Sequence, residues 1–293
     1  MAVDEAGRKH RKVRNTRVIG KSGAGENGKM NGWKSITRRL AGIAAALCLM
    51  ITAGGGKADT GLEFFRVRNG DRENSRIAIT MDDVFEREWV WKTVELCRKY
   101  GITMTFFPIG ANLHEEDREG WLDLLNAGCE IGCHTSWHED LGGQTRQETV
   151  YSLLFFQETL DKVLGQHYEL RWLRPPYGNL ADAEGSEGPA IQTLRKVGYG
   201  HAILWDVSWV INPDTGRPDP EGAFRRTQNG SILLFHAREA DYTVLETLIP
   251  MLLDAGFKPV TVSELFGYNL PEAGGEPFVY DPKTYRYPET MKD

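Results

Sequence analysis

The chain has 293 residues, 41% hydrophobic and 10% aromatic, which is enough to bury one large core and makes a single main domain the default. Its charge is divided: residues 1–58 hold 12 Lys and Arg against 3 acids, whereas the remainder holds 23 against 38, a net of −15. An acidic body repels polyphosphate, which excludes nucleic acid as its partner and leaves the basic segment needing its own explanation.

That explanation is export. Lys34, Arg38 and Arg39 precede an apolar run over residues 40–53 that ends in Gly54-Gly-Gly-Lys-Ala58, the pattern of a bacterial-type signal peptide with a small-residue cleavage site. Such a run rises only about 21 Å as a helix, short of the roughly 30 Å hydrocarbon core. The expectation is therefore a secreted or cell-surface protein outside the cytoplasm. An uncleaved N-terminal anchor is the alternative and the one expected contact with membrane. Met30 stands where a signal peptide of ordinary length would begin, which makes residues 1–29 a candidate misreading of the start. Residues 59–73 read as a linker.

Four cysteines make no disulfide framework. Cys48 would leave with the signal, and Cys97, Cys129 and Cys133 remain, compatible with one bridge plus a free thiol or with three buried thiols. Cys133 adjoins His134, but neighbouring strand residues point to opposite faces, so it reads as packing and not as a ligand.

Along the body a helix-stop glycine followed by an apolar strand recurs, in Tyr100-Gly101-Ile102, Ala127-Gly128-Cys129, Val197-Gly198-Tyr199 and Ala255-Gly256-Phe257. Pro189, with Ile191, Leu194 and Val197 on one face, marks a short amphipathic helix. Strands are predicted over 76–81, 104–109, 130–133, 170–173, 201–205, 231–235 and 259–262, with helical patterns between most of them. Alternating elements of this kind predict an α/β fold, a distorted TIM-barrel-like (β/α) barrel of about seven parallel strands over residues 74–268. Residues 269–293, punctuated by Gly274-Gly275, Pro277, Pro282 and Pro288, form an irregular extension that can pack against it.

The polar residues then fall on one rim. Asp82, Asp83, His134, Arg174, Asp206 and His236 each stand at or just past the C-terminal end of a predicted strand, where barrels assemble active sites. His134 and His138, four residues apart, join one carboxylate of the Asp82-Asp83 pair to give the three protein ligands of a catalytic metal site with a spare carboxylate beside it. That donor set suits metal-assisted hydrolysis. Zn²⁺ is the expected ion, and Co²⁺, Fe²⁺, Mn²⁺ or Ni²⁺ fit the same donors.

Four short motifs carry a resemblance. Thr80-Met-Asp-Asp83, His134-Thr-Ser-Trp-His138, Arg174-Pro-Pro-Tyr177 and Leu234-Phe-His236 resemble, in order, the T-F-D-D, H-[ST]-x-x-H, R-x-P-[YF] and L-x-H motifs of the polysaccharide deacetylases, carbohydrate esterase family 4. The resemblance covers roughly residues 74–268. It implies removal of acetyl groups from N-acetylglucosamine or N-acetylmuramic acid units of cell-wall or related glycans by an exported, monomeric enzyme. An O-acetyl esterase on xylan and a non-catalytic glycan-binding barrel are the alternatives.

Under that reading Asp83, His134 and His138 hold the metal and Asp82 is the general base, anchored next to a ligand yet free to take a proton. The resemblance implies that Arg174 orients the base and that the Tyr177 backbone N–H, fixed by Pro175-Pro176, faces the developing oxyanion. His236 is the general acid for the departing amine. Leu234 with Trp205 or Trp209 forms the slot for the acetyl methyl and a stacking face for a sugar.

Two departures stand out. Val84 replaces the glycine that usually follows the acid pair, which alters a turn. The family's W-x-V-D-x-x-D-W stretch here reads Trp205-Asp-Val-Ser208-Trp-Val-Ile-Asn212. Because residues i and i+2 share a strand face, Asp206 is the expected carboxylate partner of His236 in place of Ser208.

Overall fold

The computed structural model describes residues 65–180, 189–196, 199, 201–208, 215 and 217–281. The expected export signal, Gly198 and Trp209 lie outside the described residues.

Helices and strands alternate as β1 (Phe65–Val67), β2 (Arg76–Asp83), α1 (Arg87–Tyr100), β3 (Thr105–Pro108), α2 (Arg118–Asn126), β4 (Glu130–Ile131), α3 (Arg146–Leu164), α4 (Pro189–Lys196), β5 (His201–Ile203), β6 (Val207–Ser208), α5 (Pro220–Arg226), β7 (Ile232–His236), α6 (Glu239–Asp254), β8 (Lys258–Val260) and α7 (Val262–Leu265). Gly101, Gly128 and Gly256 take positive φ after α1, α2 and α6, the left-handed stop their sequence positions predict.

Every ladder between these strands is parallel, in the order β4-β3-β2-β7-β6 with β8 also on β2, and β1 beside β5. Ala78 pairs with both Ile232 and Val260, and Thr80 with both Leu234 and Thr105. Strands β3 and β8 therefore share one side of β2, and β7 takes the other. The round continues from Cys133 to Leu173 and from Leu173 to Ala202 through single bridges. Among the described residues no continuous ladder closes it; the chain from β5 to β6 spans the remaining step. This is the expected α/β barrel, distorted and built of eight short strands among the described residues.

Side-chain alternation fixes which face does what. Ile77, Ile79 and Met81 join the large core under the helices, whereas Ala78 belongs to a smaller inner cluster with Phe107, Ile203 and Ile232. Thr80 and Asp82 continue that inner face towards the rim. Cys133 packs in the outer core, as its strand position predicts, and burial pushes its thiol far above the usual range. Cys97 and Cys129 are also buried thiols.

Several predicted strands are shorter than expected, two of them markedly near the site. The 170–173 strand reduces to Leu173, which takes a bond from Ile203 while its neighbours bond Cys133. It cannot extend, because Pro175 and Pro176 follow and offer no N–H. The 201–205 strand ends at Ile203, since the chain then crosses to β7, where Asp206 N–H donates to Ile232. The short β1 is an addition with no clear pattern in the sequence. Part of the C-terminal segment lies against the body: Ala273 bridges Tyr168, and the Phe278 N–H donates to the fully buried Asp161.

The inner face is tight where it approaches the site. A Cβ on Gly132 would lie 2.3 Å from the Phe107 ring. Gly132→Ala is expected to lower stability by about 1–3 kcal/mol, read as a lower urea midpoint at unchanged slope. An unchanged midpoint would mean that the ring moves aside freely.

Candidate active site

Three loops meet at the C-terminal ends of the strands. Asp83 ends β2, and His134 and His138 lie in the loop beyond β4. His134 Nε2 and His138 Nε2 are each 3.4 Å from Asp83 Oδ1. One ligand atom from each residue falls within 4.8 Å of the others.

The donor chemistry fits a cation. Asp83 Oδ1 is buried and lacks a hydrogen-bond partner, an arrangement costly in a protein unless something positive faces it. His134 Nδ1 is 2.8 Å from the Arg174 carbonyl, which can only accept, so Nδ1 carries the proton and Nε2 presents its lone pair. Burial acts to raise the Asp83 pKa, but the adjoining imidazoles of His134, His236 and His138 outweigh it and hold the carboxyl below its usual range. Burial, with His134 adding to it, pushes His138 down towards the neutral imidazole that binds metal. A carboxylate and two neutral imidazoles are the states a divalent ion requires.

The backbone is strained in these loops and nowhere else among the described residues. All five non-glycine residues with positive φ belong here: Asp83 (72°), Val84 (63°), Thr135 (63°), His138 (61°) and Tyr177 (59°). For β-branched Val84 this conformation is a true outlier, and it is the position where glycine is usual in the motif. The strain is held by bonds between loops. Ile109 N–H and Asn112 Nδ2 donate to the Asp83 carbonyl, and Gly110 and Ala111 donate to Thr135 and Ser136.

Asp82 is 3% exposed and sits beside the triad, its Oδ2 3.8 Å from His134 Nε2. Its Oδ1 accepts from Arg174 Nη1 at 2.7 Å, and the same nitrogen donates to Thr80 Oγ1 at 2.7 Å. Arg174 is fully buried, donates Nε to the Ile203 carbonyl and Nη2 to Leu204, and lies over the Phe107 ring at 4.3 Å. The guanidinium fork is thus occupied from β2 and from the β5 segment at once, which an ammonium could not do. Thr80, the first residue of its motif, and Asn112, which lies in none, had no role assigned from the sequence.

His236 closes β7 opposite Asp82 in the ladder. Its carboxylate neighbour is Asp241, not Asp206. Asp241 is fully buried in the first turn of α6. Its Oδ2 accepts from the His236 backbone N at 2.6 Å and stands 3.4 Å from Nδ1, while Oδ1 accepts from Arg238 Nε. Burial works to lower the His236 pKa, but Asp241, Asp82 and Asp83 outweigh it and raise it above the ordinary histidine value. Asp206 lies at the other end of β7, accepting from Ile232 N–H, Ser231 Oγ and Arg72. Four strand steps, about 13 Å, separate the ends of β7, so Asp206 is out of reach. The expected pairing assumed a regular strand through residue 206, and the strand stops at Ile203. An acid in a helix's first turn, five residues past the histidine, was the legible signal.

The remaining expected residues line the mouth. Tyr177 is 70% exposed and its ring meets His138 edge-on at 4.7 Å. The Pro175-Pro176 turn is closed by Gly178 and Asn179 N–H groups. Leu234 is buried on the inner face next to Thr80, and Trp205 lies beside the turn at Gly178 and 5.8 Å from the Arg174 guanidinium.

Residues 69–199 match the family model "Polysaccharide deacetylase". Over that stretch, which is less than half of the chain, the protein is similar to the polysaccharide deacetylases. It is 29% identical to a peptidoglycan-N-acetylglucosamine deacetylase of Bacillus cereus over 71% of this chain and 95% of that protein. It is 24% identical to the peptidoglycan-N-acetylmuramic acid deacetylase PdaA of Bacillus subtilis over 67% of this chain and 73% of that one. Among solved structures, the peptidoglycan deacetylase PdaC of Bacillus subtilis superposes with a TM-score of 0.55 at 25% identity, covering 67% of this chain and 91% of that one. A family 4 pseudoenzyme of Bacillus anthracis superposes at 0.57 with 22% identity, covering 69% and 68%. The fold therefore does not decide activity, and the side chains must.

The two acids separate cleanly by experiment. Asp83→Asn is expected to weaken Zn²⁺ binding more than about tenfold by calorimetry, and Asp82→Asn to leave it within a few-fold. Equal losses in both variants would mean the roles are misassigned.

Proposed function

We propose that this chain is a polysaccharide deacetylase, an exported, metal-dependent N-deacetylase that removes the acetyl group from amino-sugar units of cell-wall glycan. The observation that carries the reading is Asp82, a carboxylate held by Arg174 beside three converging metal donors and across β2 and β7 from an acid-ready His236. Binding alone needs neither a spare base nor a proton donor. The substrate class rests on the Bacillus relatives, which are named for both peptidoglycan amino sugars.

Asp83, His134 and His138 would hold the ion, which supplies Lewis acidity towards water and the acetyl carbonyl. Asp82 takes the proton from the attacking water. Arg174 keeps Oδ1 occupied, so Oδ2 faces the His134 side and is the accepting oxygen. The Tyr177 N–H, set by its positive φ and the two prolines, donates to the oxygen where negative charge develops. His236 delivers its proton to the departing amine nitrogen. Leu234 and Trp205 offer apolar surface for the acetyl methyl. Export is read from the N-terminal sequence alone.

Chelation should abolish acetate release from N-acetylglucosamine oligomers while the circular dichroism spectrum persists, and Zn²⁺ or Co²⁺ should restore it. Turnover by protein shown to be metal-free would overturn the mechanism. Faster acetate release from O-acetylated xylan than from the N-acetylated oligomers would make the chain an esterase.

Asp241 gives a pH test. His236 must be protonated to act, so a raised pKa carries activity to higher pH, and the alkaline limb of kcat/KM falls as pH passes through it. Asp241→Asn removes the carboxylate and should move that limb to lower pH, with the acid limb little changed. An unmoved limb would show that His236 is not the acid.

A further inference from the structure

Trp137 stands between the two histidines, in the segment where Thr135 and His138 both hold positive φ. Polar bonds tie that segment from within. Thr135 Oγ1 and the Trp137 N–H both donate to Glu139 Oε2, the His138 N–H donates to Thr135 Oγ1, and Ser136 donates its N–H and its hydroxyl to Ser152 of α3. The Trp137 ring supplies an apolar tie instead. It lies on α3, stacked on Phe155 at 4.8 Å and on Tyr151 at 5.7 Å.

The platform under that ring has an outer support. Tyr151 and Phe155, one helical turn apart, meet each other at 6.2 Å, and the Tyr280 ring meets Tyr151 edge-on at 6.0 Å. Tyr280 belongs to the C-terminal extension, beyond the last of the four motifs. Backbone N–H groups set the course of that extension. Glu169 donates to Glu272 and Gly274 to His167, then Phe278 donates to the Asp161 carboxylate of α3 and Tyr280 to that of Glu158, one turn nearer the start of the helix. The extension therefore follows α3 in a fixed register and brings Tyr280 to the aromatic platform.

Two left-handed residues store strain in the histidine loop, and such strain persists only while neighbours over-determine it. An aromatic pair contributes about two- to tenfold to an equilibrium constant. Removing one support of the loop is thus large enough to register in how tightly its two histidines hold an ion.

We propose that the C-terminal extension braces the metal loop: through Tyr280 it keeps Tyr151 against Trp137, and so holds His134 and His138 in their converging arrangement. The proposal rests on the metal-site reading. Tyr280, Tyr151 and Trp137 are positioning residues, acting through the histidines and not on substrate.

The test uses the full chain with Tyr280→Ala, Tyr280→Phe, Trp137→Ala and the double variant of Tyr280→Ala with Trp137→Ala. Zn²⁺ binding is measured by calorimetry and the shape of the site by the visible d–d spectrum of the Co²⁺-loaded protein. The loop itself is followed in the metal-free protein by hydrogen exchange at Ser136, Trp137 and His138, whose N–H groups are all bonded. Tyr280→Ala should weaken Zn²⁺ binding about two- to tenfold, alter the Co²⁺ spectrum and speed exchange in the loop. Tyr280→Phe keeps the ring and should stay at parent values. In the Trp137→Ala background, Tyr280→Ala should add little. A lower urea midpoint in Tyr280→Ala with unchanged Zn²⁺ affinity, Co²⁺ spectrum and loop exchange would reduce the extension to general stability and overturn the proposal, as would full additivity of the two substitutions. If the parent protein binds neither ion, the metal-site reading fails. The brace is then judged on the metal-free loop, where Tyr280→Ala must still speed exchange and Tyr280→Phe must not.

Discussion

A single buried cation holds the reaction centre together. Arg174 is fully enclosed, and removing one partner from such a pair typically costs about 3–5 kcal/mol because the other charge is left stranded. Its side chain bonds Asp82 and Thr80 on β2 and the carbonyls of Ile203 and Leu204, and its own carbonyl sets the tautomer of His134. It therefore joins strands where no continuous ladder does. The same residue orients the proposed base, fixes the tautomer of a proposed metal donor and bridges strands that share no continuous ladder among the described residues.

Around that anchor the loops are held in conformations that an isolated peptide would leave. Each left-handed non-glycine residue costs of order 1–3 kcal/mol, and such strain persists only when neighbours over-determine it. Here the bonds from Ile109, Asn112, Gly110 and Ala111 tie the loop after β3 to both the Asp83 and the His134 loops. The donors are consequently preorganised: they converge without needing the ion to gather them, which is why their removal should cost binding more than folding.

Much of this was legible in the sequence because its signals are local. Apolar strand runs, glycine stops and motif residues at strand ends placed Asp82, Asp83, His134, Arg174 and His236 on one rim, and alternation separated Cys133 from its histidine neighbour. What failed was long-range. The strand through residue 206 depended on partners that the sequence does not specify, so Asp206 was set beside His236 when it caps the far end of β7. Asp241 was hidden because it acts across a helix start, and β1 because three residues carry no pattern. The effect of Val84 could be located but not sized, since the cost of φ 63° is read only from the backbone.

Strand β2 is paired along both sides, by β7 on one and by β8 and then β3 on the other. Such a doubly bonded strand belongs to the part of a protein that opens last. The proposed base and one proposed metal donor ride on it, whereas Phe85, Tyr177 and the histidine loop are carried by turns. Substitutions that reshape what enters the mouth can therefore accumulate in those turns while the strand under the reaction stays where it is. A lineage built this way is free to change its diet without relearning its chemistry.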